Sequence, residues 1–353
     1  SIERLASQVR DAGVTRIKGD LVVDNSRFPG RSHPLDRSYG DLPYRHGTPP
    51  AALAVDEATI SVRVRPGLSV GEPARVEAPE GLDILNHTTT VGSERHGKGS
   101  LDFIPVWGME ALLLRGEYPI SEGPFVVAVS DPIPELRVGR YLSAALDELG
   151  VAIEGTVRVG MPSGHLETQE IVAELSSRPL KTILRKILAS SHNWYADMLV
   201  LTLSRAVAAT GRFDDGVAVI SDFLSGLGNR DLMSSPRPWL RDGSGLSPAN
   251  LVTPMSIVGL LGHALTQDWG ELLVGALPGP GEGTLAGWPS VPQIAAKTGT
   301  LRHTVGLAGF LDAGPEGPIL FCYLVNHLPG RPGVARGQIV RALDRWQRLE
   351  GTR

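Results

Sequence analysis

Ala295-Ala296-Lys297-Thr298-Gly299-Thr300 follows an apolar run and precedes Val305-Gly306-Leu307-Ala308-Gly309-Phe310-Leu311. The pattern predicts a strand over 294–297 that closes in a polar signature and turns back into a second, core-facing strand over 304–312. A lysine on a strand edge is ordinarily a solvated guard against edge pairing. The tetrapeptide therefore carries weight only with partners of the right kind upstream. Ser190-Ser191-His192-Asn193 is one such stretch. It stands between two helical patterns, where serine and asparagine serve as helix caps. In the functional reading, Ser191 relays protons in a cleft and Asn193 binds a substrate carbonyl.

Around these two stretches the chain reads as an ordinary folded protein. Its 353 residues leave room for two or three domains, and a net charge of −4 gives no reason to expect nucleic acid or an anionic membrane as partner. The 42 glycines and 27 prolines are spread along the chain, as many turns and short strands require. Cys322 is the only cysteine, so no intrachain disulfide and no thiolate metal cluster forms; its apolar neighbours predict a buried strand residue. The histidines, among them His46, His87, His96, His165, His263, His303 and His327, show no metal-ligand spacing, and no metal or cofactor is expected. No apolar run approaches the ~18 residues of a membrane span, and no signal peptide is expected within these 353 residues. Ser1-Ile2-Glu3-Arg4-Leu5 reads as the interior of a helix, so a processed or truncated product is expected.

The order of elements predicts an α+β protein. A helix over 2–12 is followed by a strand over 17–24 and a long loop to Pro50. Strands are predicted over 59–65, 74–78, 82–89, 101–106 and 125–129. A helix over 135–149 and a strand over 151–159 come next. From Pro179 the pattern turns helical, over 180–188, 194–208, 217–227 and 254–265. Strands over 294–297, 304–312 and 319–326, the last two joined by Gly314-Pro315-Glu316-Gly317, and a helix over 334–349 close the chain.

Ser191-x-Asn193 followed by Lys297-Thr298-Gly299-Thr300 resembles the second and third motifs of the penicillin-recognising acyl-serine enzymes. Pro179-Leu180, Asn193-x-x-Ala196-Asp197, Asp242-Gly243-Ser244-Gly245-Leu246-Ser247, Gly283-Thr284-Leu285 and Leu307-Ala308-Gly309 narrow the likeness, and Gly19-Asp20-Leu21-Val22-Val23-Asp24-Asn25-Ser26-Arg27-Phe28 extends it to the front half. The chain resembles the class C low-molecular-mass penicillin-binding proteins, the S13 serine peptidases that act as D-alanyl-D-alanine carboxypeptidases and endopeptidases. That resemblance implies a penicillin-binding domain of antiparallel sheet and helices, carrying inserted β-rich accessory domains. The inserted part is expected to occupy most of 1–131 and the C-terminal portion of the penicillin-binding domain 132–353.

The resemblance also implies the chemistry. A serine in a Ser-x-x-Lys helix attacks the peptide between two D-alanines, and water later releases the acyl-enzyme. Ser191 would pass a proton to the leaving amine under the influence of Lys297, while Asn193 binds an amide carbonyl. Lys297, Thr298 and Thr300 would receive the terminal carboxylate. Gly299 would keep the strand bare for an extended substrate. Asp41 is nominated for an ammonium of the stem peptide, its alternative being an ordinary turn aspartate. Where the family usually carries an arginine after Gly-Leu-Ser this chain has Pro248, and Arg302 is the candidate replacement. Partners implied are peptidoglycan stem peptides and β-lactams, and the location periplasmic or cell-wall-associated.

The chain departs from the family more seriously elsewhere: it contains no Ser-x-x-Lys. Ser177-Arg178-Pro179-Leu180-Lys181 has the wrong spacing and a proline in the turn. A truncated peptidase is the expectation, and a non-catalytic peptidoglycan-binding protein the alternative. A β-lactamase is a third reading, opposed by the long β-rich region ahead of Ser191.

Overall fold

The computed structural model describes residues 2–30, 33–93, 100–106, 109, 111–161, 170–227, 238–289, 292–312, 314 and 317–350. His96, His165, Pro315 and Glu316 lie outside them. The chain divides into two compact units, Ser1–His33 with Arg37–Ser176, and Pro34–Asp36 with Ser177–Arg353.

The first unit contains α1 (Ile2–Asp11), β1 (Arg16–Ile17), β2 (Leu21–Val23), β3 (Thr59–Arg65), β4 (Arg75–Glu77), β5 (Asp83–Val91), β6 (Leu101–Pro105), β7 (Ala111–Pro119), β8 (Phe125–Ser130), α2 (Pro134–Glu148), β9 (Ala152–Ile153) and β10 (Val157–Val159). The single strands expected over 17–24 and 151–159 are each broken in two. Asp20 causes the break: its carboxylate accepts from the Thr156 N–H at 2.9 Å, the Thr156 hydroxyl at 3.2 Å and Arg158 Nε at 2.9 Å. The pieces pair in parallel, β1 with β9 and β2 with β10. α2 packs on α1 through Leu146 and Ala6, with Val151 joining them.

The remaining strands form two three-stranded sheets, ordered β4-β3-β8 and β5-β7-β6. Clean alternation puts Ile60, Val62 and Val64 into a core shared with Phe103, Leu112, Leu114, Tyr118 and Val129. β7 has no counterpart in the sequence reading. Its Ala111-Leu112-Leu113-Leu114 is apolar on both faces, so the period of two that marks a half-buried strand is absent.

The second unit contains α3 (Leu180–Ser190), α4 (Asn193–Leu203), α5 (Phe213–Gly226), α6 (Pro254–Leu265), α7 (Gly270–Ala276), β11 (Ile294–Leu301), β12 (Thr304–Leu311), β13 (Ile319–Val325) and α8 (Pro332–Glu350). α4 ends before the expected Ala208. Residues 204–208 widen into a π-helical turn, and the Ser204 hydroxyl accepts from the Gly211 and Arg212 N–H groups at 3.1 and 3.0 Å. Seven-residue α7 is too short to show a period, and it went unpredicted.

The antiparallel sheet β11-β12-β13 is covered on both faces. Ile294, Ala296, Val305, Leu307 and Leu311 meet Ala335, Ile339 and Leu343 of α8. Ala295, Phe310 and Leu320, one residue out of phase, meet Leu261 of α6, Val274 of α7, Leu277 and Leu188 of α3. Gly309 is required by the close pairing of β12 with β11, because a Cβ there would lie 2.1 Å from the Ala295 carbonyl oxygen. Cys322 lies on β13 as predicted but is half-buried, and burial pushes its thiol up to about 11.

Candidate active site

Ser191 ends α3 in the left-handed conformation, φ 54° and ψ 54°, with its N–H donating to the Ile187 carbonyl. A non-glycine residue pays on the order of 1 kcal/mol for that backbone, so the surroundings hold it there. The cap of α4 is not the serine or asparagine expected. His192 occupies it, its Nδ1 accepting from the Tyr195 N–H at 3.5 Å, and Asn193 becomes the first helical residue.

α4 is tied down one turn later. Asp197 is fully buried and accepts from the Gly243 and Ser244 N–H groups, both at 3.0 Å. Those residues belong to the turn Asp242–Ser247. Its Asp242 carboxylate accepts from the N–H groups of Gly245 at 2.9 Å and Ser247 at 2.8 Å and from the Asn250 side chain at 2.7 Å. Asp242-Gly243-Ser244-Gly245 is thus a structural turn.

Lys297 projects from the α3-facing side of β11 and closes the constellation. Its Nζ donates to Ser191 Oγ at 2.8 Å and to the Thr298 carbonyl at 2.6 Å. No carboxylate shares this site among the described residues, and burial alone pushes the ammonium down from about 10.5 to about 8. Gly299 and the cross-strand residues Gly306 and Ala308 keep the sheet low around it. A Cβ on Gly299 would meet nothing closer than 3.9 Å, so packing within the protein does not explain the glycine.

Thr298 and Thr300 lie on the opposite face of β11. Thr298 is buried, and its hydroxyl donates to Thr284 Oγ1 at 2.5 Å. Thr300 is exposed and accepts from Arg336 Nη2 at 3.3 Å. Thr284 sits in a short 3-10 turn (Gly283–Gly287) pressed on the end of α3. Gly283 has φ +46°, and a Cβ there would lie 2.1 Å from the Ala189 carbonyl oxygen. The Ala296 N–H donates outward to Pro278 at 3.1 Å. By the period of two, Thr298 and Thr300 aim their N–H groups at the same edge, the one β12 does not occupy.

Ser191 and Lys297 are therefore brought into contact, with Asn193 two residues along the chain from Ser191. Arg302 is exposed in the turn between β11 and β12. Asp41 belongs to the first unit, in a 3-10 turn (Tyr39–Asp41), where its carboxylate is 3.2 Å from His46 Nε2. Thr284 is legible in the sequence only as part of the Gly283-Thr284-Leu285 family marker, and Arg336 carries no signal there. A lone hydroxyl and a helix arginine give no periodic signal.

The family model of the D-Ala-D-Ala carboxypeptidase 3 (S13) family matches residues 1–348. The chain belongs to this family. A D-alanyl-D-alanine carboxypeptidase of Actinomadura sp. (strain R39) is 31% identical over 343 residues, covering 92% of this chain and 62% of that protein. D-alanyl-D-alanine carboxypeptidase DacB of Haemophilus influenzae is 26% identical over 336 residues, covering 91% of this chain and 68% of the relative. The crystal structure of penicillin-binding protein 4 (dacB) from the same organism superposes with a TM-score of 0.82 at 23% identity, over 94% of this chain and 73% of that one. The S13 chain thus has the α+β fold that its motifs imply, and it spans about two thirds of the length of these relatives.

Proposed function

We propose that this S13 chain forms the substrate-holding part of a serine-type D-Ala-D-Ala carboxypeptidase or endopeptidase that acts on peptidoglycan stem peptides and is acylated by β-lactams. The contact of Lys297 Nζ with Ser191 Oγ at 2.8 Å carries the reading. An ammonium only donates, so Ser191 Oγ is the acceptor and keeps its own proton free to pass to a departing amine. The outward N–H groups of Thr298 and Thr300 can pair with an extended substrate, for which Gly299 leaves space. The attacking serine and its lysine would come from a Ser-x-x-Lys segment encoded outside these 353 residues. Asn193 would bind the substrate amide, Lys297, Thr300 and (its hydroxyl turned from Thr284) Thr298 the terminal carboxylate, and Asp41 and Arg302 the stem side chains. The likeness to cell-wall enzymes supports a periplasmic or wall-associated location.

The division at residue 177 supports placing the start of this portion of the penicillin-binding domain there. The expected boundary at 132 would detach α2, β9 and β10 from the α1, β1 and β2 on which they pack. Most of what precedes would be accessory domain.

The full gene product, incubated with a peptide ending in D-Ala-D-Ala, is expected to release D-alanine, and Lys297→Ala to lower kcat/KM by 10²–10⁴-fold. The second reading is a non-catalytic peptidoglycan-binding protein, favoured by the lack of Ser-x-x-Lys in the 353 residues. Binding of stem peptide without D-alanine release would establish it in place of the first.

A further inference from the structure

The hydroxyls of the Lys297–Thr300 stretch are both held from behind the strand. Thr298 is spent on Thr284, at 2.5 Å, while Thr300 meets a cation. Arg336 reaches it from the N-terminal half of α8, with its guanidinium 5.5 Å from the centre of the buried Trp288 ring. Trp288 follows the Gly283–Gly287 turn that holds Thr284, so one short segment backs both threonines. No carboxylate pairs with Arg336 among the described residues, and its buried Nε has no hydrogen-bond partner there.

The polarity of the Arg336–Thr300 contact has a definite consequence. Guanidinium has donors and no acceptor, so Thr300 Oγ1 must accept, and its one proton is left to donate to an incoming group. That group is best an anion, because the positive charge stands directly behind the hydroxyl and strengthens its donation. The cation–π contact with Trp288 holds the long arginine side chain in advance, which lowers the ordering cost on binding.

We infer that Arg336 is a positioning residue of the substrate-carboxylate site, acting through Thr300 to make its hydroxyl an anion-directed donor. The inference rests on the D-Ala-D-Ala reading and adds to it a contribution from α8. Two peptides, alike except that one ends in a carboxylate and the other in its amide, test it on the full gene product. A wild-type protein that treats the two alike overturns the D-Ala-D-Ala reading itself. Given a wild-type preference for the carboxylate, Arg336→Met keeps a long unbranched side chain beside Trp288 and removes the donors. It is expected to cut that preference about tenfold, mainly through KM. Arg336→Lys is expected to retain part of the preference, and Arg336→Gln replaces Arg336→Met if the latter does not fold. In a Thr300→Val background Arg336→Met is expected to add nothing further. An unchanged preference in Arg336→Met, or full additivity with Thr300→Val, overturns the inference while leaving the parent reading intact.

Discussion

Lys297 is a charged group in a place that penalises charge, with burial pushing it down to about 8. Below that pH the folded and unfolded lysines both carry the proton, and the full cost of burying the ammonium is present. Between about 8 and 10.5 the folded protein has lost a proton that the unfolded chain still binds, so stability rises with pH across that window. Lys297→Met removes the penalty. Offset by two lost hydrogen bonds, it is expected to raise the unfolding free energy at pH 7 by on the order of 1–3 kcal/mol, a gain that fades toward pH 10.5. Denaturant unfolding at pH 7 and 10 checks it. On the proposed function the same titration acts on binding: kcat/KM for a carboxylate-ended peptide should fall as pH rises through about 8, because the cation proposed to meet the carboxylate is lost. Ser191 likewise sets backbone strain against use. Ser191→Gly relieves the left-handed backbone by about 0.5–1 kcal/mol but takes one acceptor from the buried Lys297 ammonium, so the fold is expected to stay within about 1 kcal/mol of the wild type while the hydroxyl proposed to relay a proton is lost. Thermal unfolding beside a D-alanine release assay reads both effects.

Among the elements, α3, α4 and β11 must meet at one point, and two fixings outside the Ser191-x-Asn193 and Lys297–Thr300 stretches bring them there. Asp197 holds α4 to the Asp242–Ser247 turn. Asp197→Ala would leave two N–H groups without their acceptor and is expected to cost about 2–4 kcal/mol, measured by chemical unfolding. Gly283 lets the Thr284 turn press on the end of α3. Gly283→Ala would drive a Cβ into the Ala189 carbonyl at a positive φ and is expected to cost about 2–4 kcal/mol. It should also lower activity by shifting Thr284 and Ser191 together. Such fixings explain what the sequence revealed and what it hid. β3, β12, α2 and α6 announce themselves through an apolar period and a stop signal. β7 did not, because both its faces are apolar, and the strands expected over 17–24 and 151–159 broke at contacts with Asp20, distant in sequence. Ser191, Asn193 and Lys297 were legible as motif residues, but their geometry was not. The left-handed serine and the His192 cap are local geometry without a sequence period, and the Lys297–Ser191, Thr284 and Arg336 contacts arise only when separate segments of the chain are folded together.

For the molecule as a whole, the two compact units divide the labour unevenly. The first buries one core between two small sheets and another between α1 and α2, and it holds the ion pair of Asp131 and Arg137, 2.5 Å apart and almost wholly buried. The second carries the Lys297–Ser191 contact on a sheet packed from both sides. On the proposed function, that arrangement would hold a substrate rigidly while another group attacks it. The central claim is that the Lys297–Ser191 pair belongs to an acyl-transfer cleft for D-Ala-D-Ala and β-lactams. The rate of acylation of the full gene product by a fluorescent penicillin, wild type against Lys297→Ala, tests it most directly. Stoichiometric labelling of the wild type, slowed at least about a hundredfold in Lys297→Ala, is the result predicted; a wild type that is not labelled, or a variant labelled as fast, would contradict it.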